Sequence, residues 1–399
     1  MNEPKLRFKA DDGREFPDWE EKKIDDIGCF IKGAGLSKAD ISNVGTPFIL
    51  YGELYTTYSE VAYDIKRKTQ AVVDDKYYSV IGDVIIPTSG ESAEEISTAT
   101  CVMVPGVVLG GDLNIFRSSI LDGRIMSYIL NHQAKWKIAA IAQGKSIVHV
   151  QAKQLASIPV RYPVSECEQQ KIADFLSTID TVIEKQKATV EAWEERKKGV
   201  MQKLFSQEVR FKADDGSDFP EWEEKKLGDD IQFLNGRAYK QDELLKSGKY
   251  LVLRVGNLFT NDSYYYSDLE LDDDKYIENG NLIYAWSATF GPRIYHGEKC
   301  IYHYHIWKLK FDENAFSKMF LNYCLLHDVE NIKSQRTGGT MVHITKNAME
   351  NRKLYFPCLA EQQKIADCLV SLDDVIEKQK ATLAAWEELK KGLLQQMFV

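Results

Sequence analysis

The heptapeptide EQQKIAD stands at Glu168–Asp174 and again at Glu361–Asp367. It opens a longer repeat. From 168 to 205 and from 361 to 398, 26 of 38 residues are identical at an offset of 193. Neither copy contains proline, and apolar residues recur at alternating steps of four and three, which predicts a helix with a coiled-coil seam. In the first copy the seam is Ile172, Leu176, Ile179, Ile183, Gln186, Val190, Trp193, Lys197, Val200 and Leu204. In the second it is Ile365, Leu369, Leu372, Ile376, Gln379, Leu383, Trp386, Lys390, Leu393 and Met397. Such a helix is on the order of 55 Å long. An apolar stripe needs a partner, and the duplication supplies one: the two helices are expected to pair antiparallel within one chain. A homodimeric coiled coil is the alternative. Gln and Lys at matching seam positions set register at some cost in stability.

A second repeat precedes each helix. RFKADDGREFPDWEEKK at 7–23 returns as RFKADDGSDFPEWEEKK at 210–226, with 14 of 17 residues identical at an offset of 203. ADDG is expected to form a turn before a Phe-Pro and a Trp that pack on a domain edge, its acids forming a solvated face. The chain is thus one plan written twice, each copy too long for a solenoid repeat.

Between the repeats lie two regions with little overall identity but four corresponding segments. IKGAGLSK (31–38) corresponds to LNGRAYKQ (234–241), and VIIPTSGES (84–92) to LIYAWSATF (282–290). LNIFR (113–117) pairs more loosely with HIWKL (305–309), and QGKSIVHV (143–150) with TGGTMVHI (337–344). Runs such as 82–87 and 280–285 are strand-like. Pro163 and Pro357 precede the helices. Scaffold blocks that hardly differ, holding domains that differ outside short loops, suit two readers of two targets on one extended ligand. Duplex DNA has the regular repeat such a pair would match.

Composition narrows the classes. The chain has 399 residues and a formal charge of −9, enough for two domains or more. Residues 29–166 carry 13 basic and 13 acidic side chains and 232–358 carry 16 and 15, so the acid excess sits in the repeated blocks. No apolar run is long enough to span a bilayer, the polar N-terminus lacks a signal-peptide core, and a cytoplasmic location is expected. Seven scattered cysteines without CxxC read as reduced thiols. Gly144-Lys145-Ser146 lacks the first glycine of a phosphate loop, since Ala139 stands there. His303 and His305, in IYHYHIW, share a strand-like run whose spacing would turn both toward one metal, but no third ligand is evident and packing is the plainer reading. No complete hydrolase, metalloprotease or methyltransferase motif is present.

The order of domain, EQQKIAD helix, domain, EQQKIAD helix resembles the specificity (S) subunits of type I restriction-modification systems. The resemblance rests on EQQKIA…L…D..I at 168–183 and 361–376, on the RF…FP.WE.KK openings, and on TGGTMVHIT (337–345) leading to LYFP (354–357). The first region departs, with QGKSIVHVQ before IPVRYP. The resemblance implies an α+β fold: two mixed α/β target recognition domains separated by two long conserved helices that form an antiparallel coiled coil, a pseudo-two-fold internal repeat. The expected limits are 1–166 and 207–358 for the domains, 167–206 and 359–399 for the spacer helices. It further implies a non-catalytic subunit that reads a bipartite sequence in double-stranded DNA. Two modification (M) subunits and the restriction (R) subunits would be its partners. S-adenosylmethionine, ATP and Mg would belong to those partners, with no cofactor or metal on this chain. The rival reading is a coiled-coil adaptor with two ligand-binding domains.

Arg, Asn and Gln are the usual base readers, while Lys, Ser and Thr more often hold phosphate. On the shared loops the candidate DNA contacts of the first domain are Ser37, Lys38, Thr88, Ser89, Glu91, Lys145, Ser146 and His149. Those of the second are Arg237, Tyr239, Lys240, Trp286, Ser287, Thr289, Arg336, Thr340 and His343. Packing is an alternative role for His149, His343 and Trp286. Trp193 and Trp386 are expected in the helix pair, or facing a modification subunit.

Overall fold

The computed structural model describes residues 4–144, 147–259, 261–287, 290–334 and 344–398. The chain divides into two compact units, Met1–Lys187 with Ala381–Val399, and Ala188–Lys380. In chain order the elements that place the site are β1 (Cys29–Lys32), β2 (Asp83–Pro87), β3 (Leu113–Arg117), α1 (Gly123–Asn131) and α2 (Glu166–Phe205). Their counterparts are β4 (Gln232–Asn235), β5 (Leu282–Ala285), β6 (Ile306–Lys310), α3 (Lys318–Ser334) and α4 (Leu359–Met397).

In the first unit β3 lies between β1 and β2, antiparallel to both, and strands 100–102 and 61–62 extend the sheet. All five residues of β2 are buried, because both faces of the sheet are covered. Val84, Ile86 and Phe116 meet Ile125 and Ile129 of α1, while Ile85 and Ile115 meet Ile49 and Leu109 of a second, four-stranded sheet. The second unit repeats this with β6 between β4 and β5. There Leu282, Tyr284 and Trp307 face α3, and Ile283, Ala285 and Ile306 face Leu253 and Tyr302 of the other sheet.

The register corrects one segment of the sequence comparison. Ile115 pairs with Ile31 and Ile85, whereas Lys308 pairs with Leu234 and Ile283. LNIFR therefore corresponds to IWKLK (306–310), one residue on from HIWKL. A one-residue slip exchanges the two faces of a strand, so the corrected alignment is the one in which buried faces coincide.

Each unit is closed by an antiparallel helix pair, half from α2 and half from α4. In the first unit Lys390 Nζ lies 2.8 Å from Asp180 and Lys187 reaches Glu387 at 3.7 Å. In the second, Lys197 Nζ lies 2.5 Å from Asp373 and Lys380 pairs with Glu194 at 2.8 Å. These are the same pairs displaced by the 193-residue repeat. No seam position predicted from the sequence is exposed among the described residues. Lys390 sits over the ring of Tyr128 and Lys197 over that of Tyr323, their alkyl stems filling seam space while the charge finds an aspartate. Trp386 packs on the first unit's core, and Arg196 lies over the ring of Trp193.

The polar letters of EQQKIAD all have partners. Glu168 is fully buried and accepts from Arg7 Nε and Nη2, both at 3.0 Å, and from Trp19 Nε1 at 3.2 Å. Glu361 accepts from Arg210 Nε and Nη2 at 3.1 and 2.8 Å and from Trp222 Nε1 at 3.2 Å. Gln169 donates to Pro163 O and Ile120 O and accepts from Asp122 N; Gln362 does the same with Pro357 O, Ala315 O and Ser317 N. Lys171 donates to Lys9 O and to Asp11 of the ADDG turn, and Lys364 does the same with Lys212 O and Asp214. The acids of that turn are exposed, as the sequence suggests, and one in each copy anchors the long helix. Gly13 and Gly216 supply the left-handed φ of +84° and +86° that the turn needs.

Candidate nucleic-acid interface

At one end of the first unit, Ser37 and Lys38 line a cleft of about 630 Å³ with Tyr51, Arg67 and Asp112. Thr88, Ser89 and His149 line a second of about 470 Å³ with Lys32, Asn114 and Lys153, and Asp112 borders both. Five of the predicted residues are thereby brought to one surface. Ser37 caps a short helical turn, accepting from Ala39 N at 3.2 Å. Ser89 Oγ lies 3.0 Å from His149 Nδ1, on two paired strands, so His149 is an exposed, oriented imidazole. Glu91 is exposed nearby, its amide donating to Glu95. Lys145 and Ser146 lie outside the described residues.

In the second unit Arg237 makes a double hydrogen bond to Glu243, at 2.8 and 3.0 Å, and its guanidinium covers the ring of Tyr239. Lys240 is exposed and its amide donates to the same carboxylate. Trp286 is half-buried, its Nε1 donating to Tyr304 O at 2.8 Å, and Ser287 is buried. Arg237 thus arrives with Nη2 held by Glu243 and Nε by Ala238 O, and Ser287 is turned inward. Thr289, Arg336, Thr340 and His343 lie outside the described residues. The frame of that fourth segment still shows, since Ile344 N donates to Trp286 O as Val150 N does to Thr88 O.

His303 and His305 are not on a strand. The chain leaves one sheet at Tyr302 and enters the other at Ile306, so 303–305 form the crossing turn. The rings of His303, Tyr304 and His305 gather there, with centroids 4.0 to 4.9 Å apart. Trp286 meets His305 edge-on at 4.8 Å, and Tyr239 stacks on His303. Burial pushes the His303 imidazolium down to about 4, with His305 and Arg254 adding repulsion, so the ring is neutral at pH 7. Among the described residues no group of three or more His, Cys, Asp or Glu is placed to hold a metal. All seven cysteines are free. No described helix is long and apolar enough to cross a membrane.

Asp112 and Tyr304 are not among the residues expected from the sequence, and His303 and His305 are expected there on a strand rather than at this turn. The signal that finds them is the corrected 193-residue offset, which sets Gly110-Gly111-Asp112 against His303-Tyr304-His305.

Comparison with known proteins agrees with this arrangement. The family model of the type I restriction modification DNA specificity domain matches twice, over residues 17–192 and 220–385. The type I restriction enzyme MjaVIII specificity subunit of Methanocaldococcus jannaschii is 24% identical over 415 residues, covering 97% of this chain and 94% of that one. The EcoBI specificity subunit of Escherichia coli is 26% identical over 163 residues, 40% of this chain and 34% of that one. The crystal structure of the S subunit of a type I restriction-modification system from M. genitalium matches with a TM-score of 0.60 at 17% identity, covering 100% of this chain and 99% of that one. A structure from work on assembly and conformational transition of the type I system matches at 0.57 and 16% identity, covering 95% and 97%. Both structures share the fold.

Proposed function

Because this chain belongs to the type I restriction-modification DNA specificity family, we propose that it is the subunit that reads a split sequence in duplex DNA, one half with each unit. It is the non-catalytic member of its complex. Residues 1–166 and 207–358 are taken as the recognition domains and the spans 167–206 and 359–399 as the spacer that sets the gap. Modification subunits, two of them on this reading, dock on it and carry S-adenosylmethionine; restriction subunits bring ATP and Mg. The near-neutral reading domains fit this, since partner subunits would supply much of the phosphate contact. Within the chain, Lys38, Thr88, Ser89, His149, Arg237, Lys240 and Trp286 remain the proposed contacts.

One observation carries the reading: two units of the same backbone frame present opposite side chains at the same loops. Thr88 N to Asp112 O recurs as Trp286 N to His305 O, and Gly110 N to Ile49 O as His303 N to Leu253 O. A frame kept while its surface differs suits two half-sites of unlike sequence.

The test is methylation mapping after co-expression with a modification subunit in methylation-free cells. A single split motif with two unlike halves and one constant gap is expected. No methylation by an assembled complex would favour the adaptor reading, and a continuous motif would discard the spacer. Exchanging residues 232–358 for another such domain is expected to change one half only; if both halves changed, the units would not be modular readers.

A further inference from the structure

We propose that the crossing turn between the two sheets, 110–112 in the first unit and 303–305 in the second, is a specificity-determining element, with Tyr304 contacting a thymine edge and Asp112 an exocyclic amino group. This rests on the DNA-reading function above and names the groups that would be read.

The turn stands amid the shared loops in both units. Ala34 N donates to Leu109 O, and Arg237 N to Tyr302 O, which holds the first loop against it. Gly33 and Gly236 must be glycine for this approach, since a Cβ would come within 2.0 Å of Gly110 O in one case and 2.3 Å of Tyr302 O in the other. The second loop is tied by the Thr88 and Trp286 amides. Backbone is therefore fixed at this point while chemistry is not.

In the first unit the turn is bare except for Asp112. Side chains at Gly110 and Gly111 would run into Phe48, Leu50 and Leu36 O. Asp112 is exposed, holds a left-handed φ of +57°, and borders both clefts. Thr88 Oγ1 donates to its Oδ1 at 3.3 Å, which orients the carboxylate at the exposed turn. A carboxylate here repels phosphate and accepts from an amino group such as cytosine N4.

In the second unit the same turn is all rings. Tyr304 is 39% exposed, flanked by His303 and His305, with Trp286 at 6.2 Å. This is a ring-lined surface, with Tyr304 its exposed member. It suits the thymine methyl group, the apolar feature of the major groove.

The experiment uses the complex of the full chain with its modification subunit and the mapped target duplex. Tyr304→Ala is expected to relax one position of the second half-site by about tenfold, the first half unchanged, while Tyr304→Phe keeps the parent pattern. Replacing thymine by uracil in the second half-site is expected to weaken the parent several-fold and Tyr304→Ala little. Asp112→Asn, which tolerates the left-handed backbone, is expected to alter the first half alone. An intact first half in the Tyr304 variant establishes that it folds. If Tyr304→Ala and Asp112→Asn both methylate the parent motif with parent discrimination, the inference is overturned. If the parent complex gives no split motif, the function proposed above fails and this inference with it.

Discussion

Arg210→Ala is expected to destabilise the second unit by about 3–5 kcal/mol, the usual cost of stripping the partner from a buried charge. Glu361 is fully buried and takes two of its three hydrogen bonds from that guanidinium. Without Arg210 the carboxylate keeps only Trp222 Nε1. Arg210 also donates to Phe219 O and Pro220 O, which fasten the N-terminal block to the helix start. Lysine is expected to rescue little, because one ammonium cannot match a fork that reaches both carboxylate oxygens and two carbonyls. Chemical denaturation of the purified chain checks this. A loss under about 1 kcal/mol would show that the site relaxes to let water reach Glu361.

Lys390→Met is expected to cost a similar amount, while Lys197→Met costs roughly 1 kcal/mol. The two lysines are repeat equivalents in unequal surroundings. Lys197 meets one aspartate, and that aspartate is 39% exposed. Lys390 meets two acids, Glu60 at 2.7 Å and Asp180 at 2.8 Å, with His132 3.6 Å from Glu60. Burial alone would push the Glu60 carboxyl up; His132 and Lys390 outweigh it and hold it near 2. Burial raises Asp180 despite Lys390, and the charge on Glu60 adds to the rise. In the parent, the stability tied to Glu60 is present above its unfolded value of 4.5 and is lost as pH falls toward 2. In the variant both acids lack the ammonium and gain from protonation. The gap between variant and parent is therefore expected to narrow from pH 7 to pH 4. Parallel denaturation series would show it, and a gap constant with pH would mean that the lysine acts through packing alone.

The helices were legible because a four-three apolar rhythm over 38 residues has one folded solution. The pairing was legible because the chain carries two copies. The purpose of Glu168 was not, for its partner Arg7 lies 161 residues away and only folding brings them together. The shared loops at 31–38 and 84–92 could be found by glycine and small-residue pattern. The crossing turn could not, since Gly-Gly-Asp and His-Tyr-His share no residue and a one-residue slip hid their equivalence. Arg237 was chosen as a free base reader by residue type; its bond to Glu243, six residues on, is a matter of local geometry that type alone does not reveal.

The first unit takes its closing piece from the far end of the chain. Leu394, Met397 and Phe398 lie in its core, Phe398 stacks on Tyr128, and Lys5 and Leu6 donate to Gln396 O. On the ribosome this inverts the order of completion. Residues 188–380 form a contiguous unit and have every part in hand once synthesised. Residues 1–187 emerge earlier yet must wait, with Trp19 and Tyr128 uncovered and Glu60 and Asp180 lacking their ammonium, until 381–398 arrive. The half made first is the half finished last, and during that interval it is the segment of the nascent chain most in need of a chaperone.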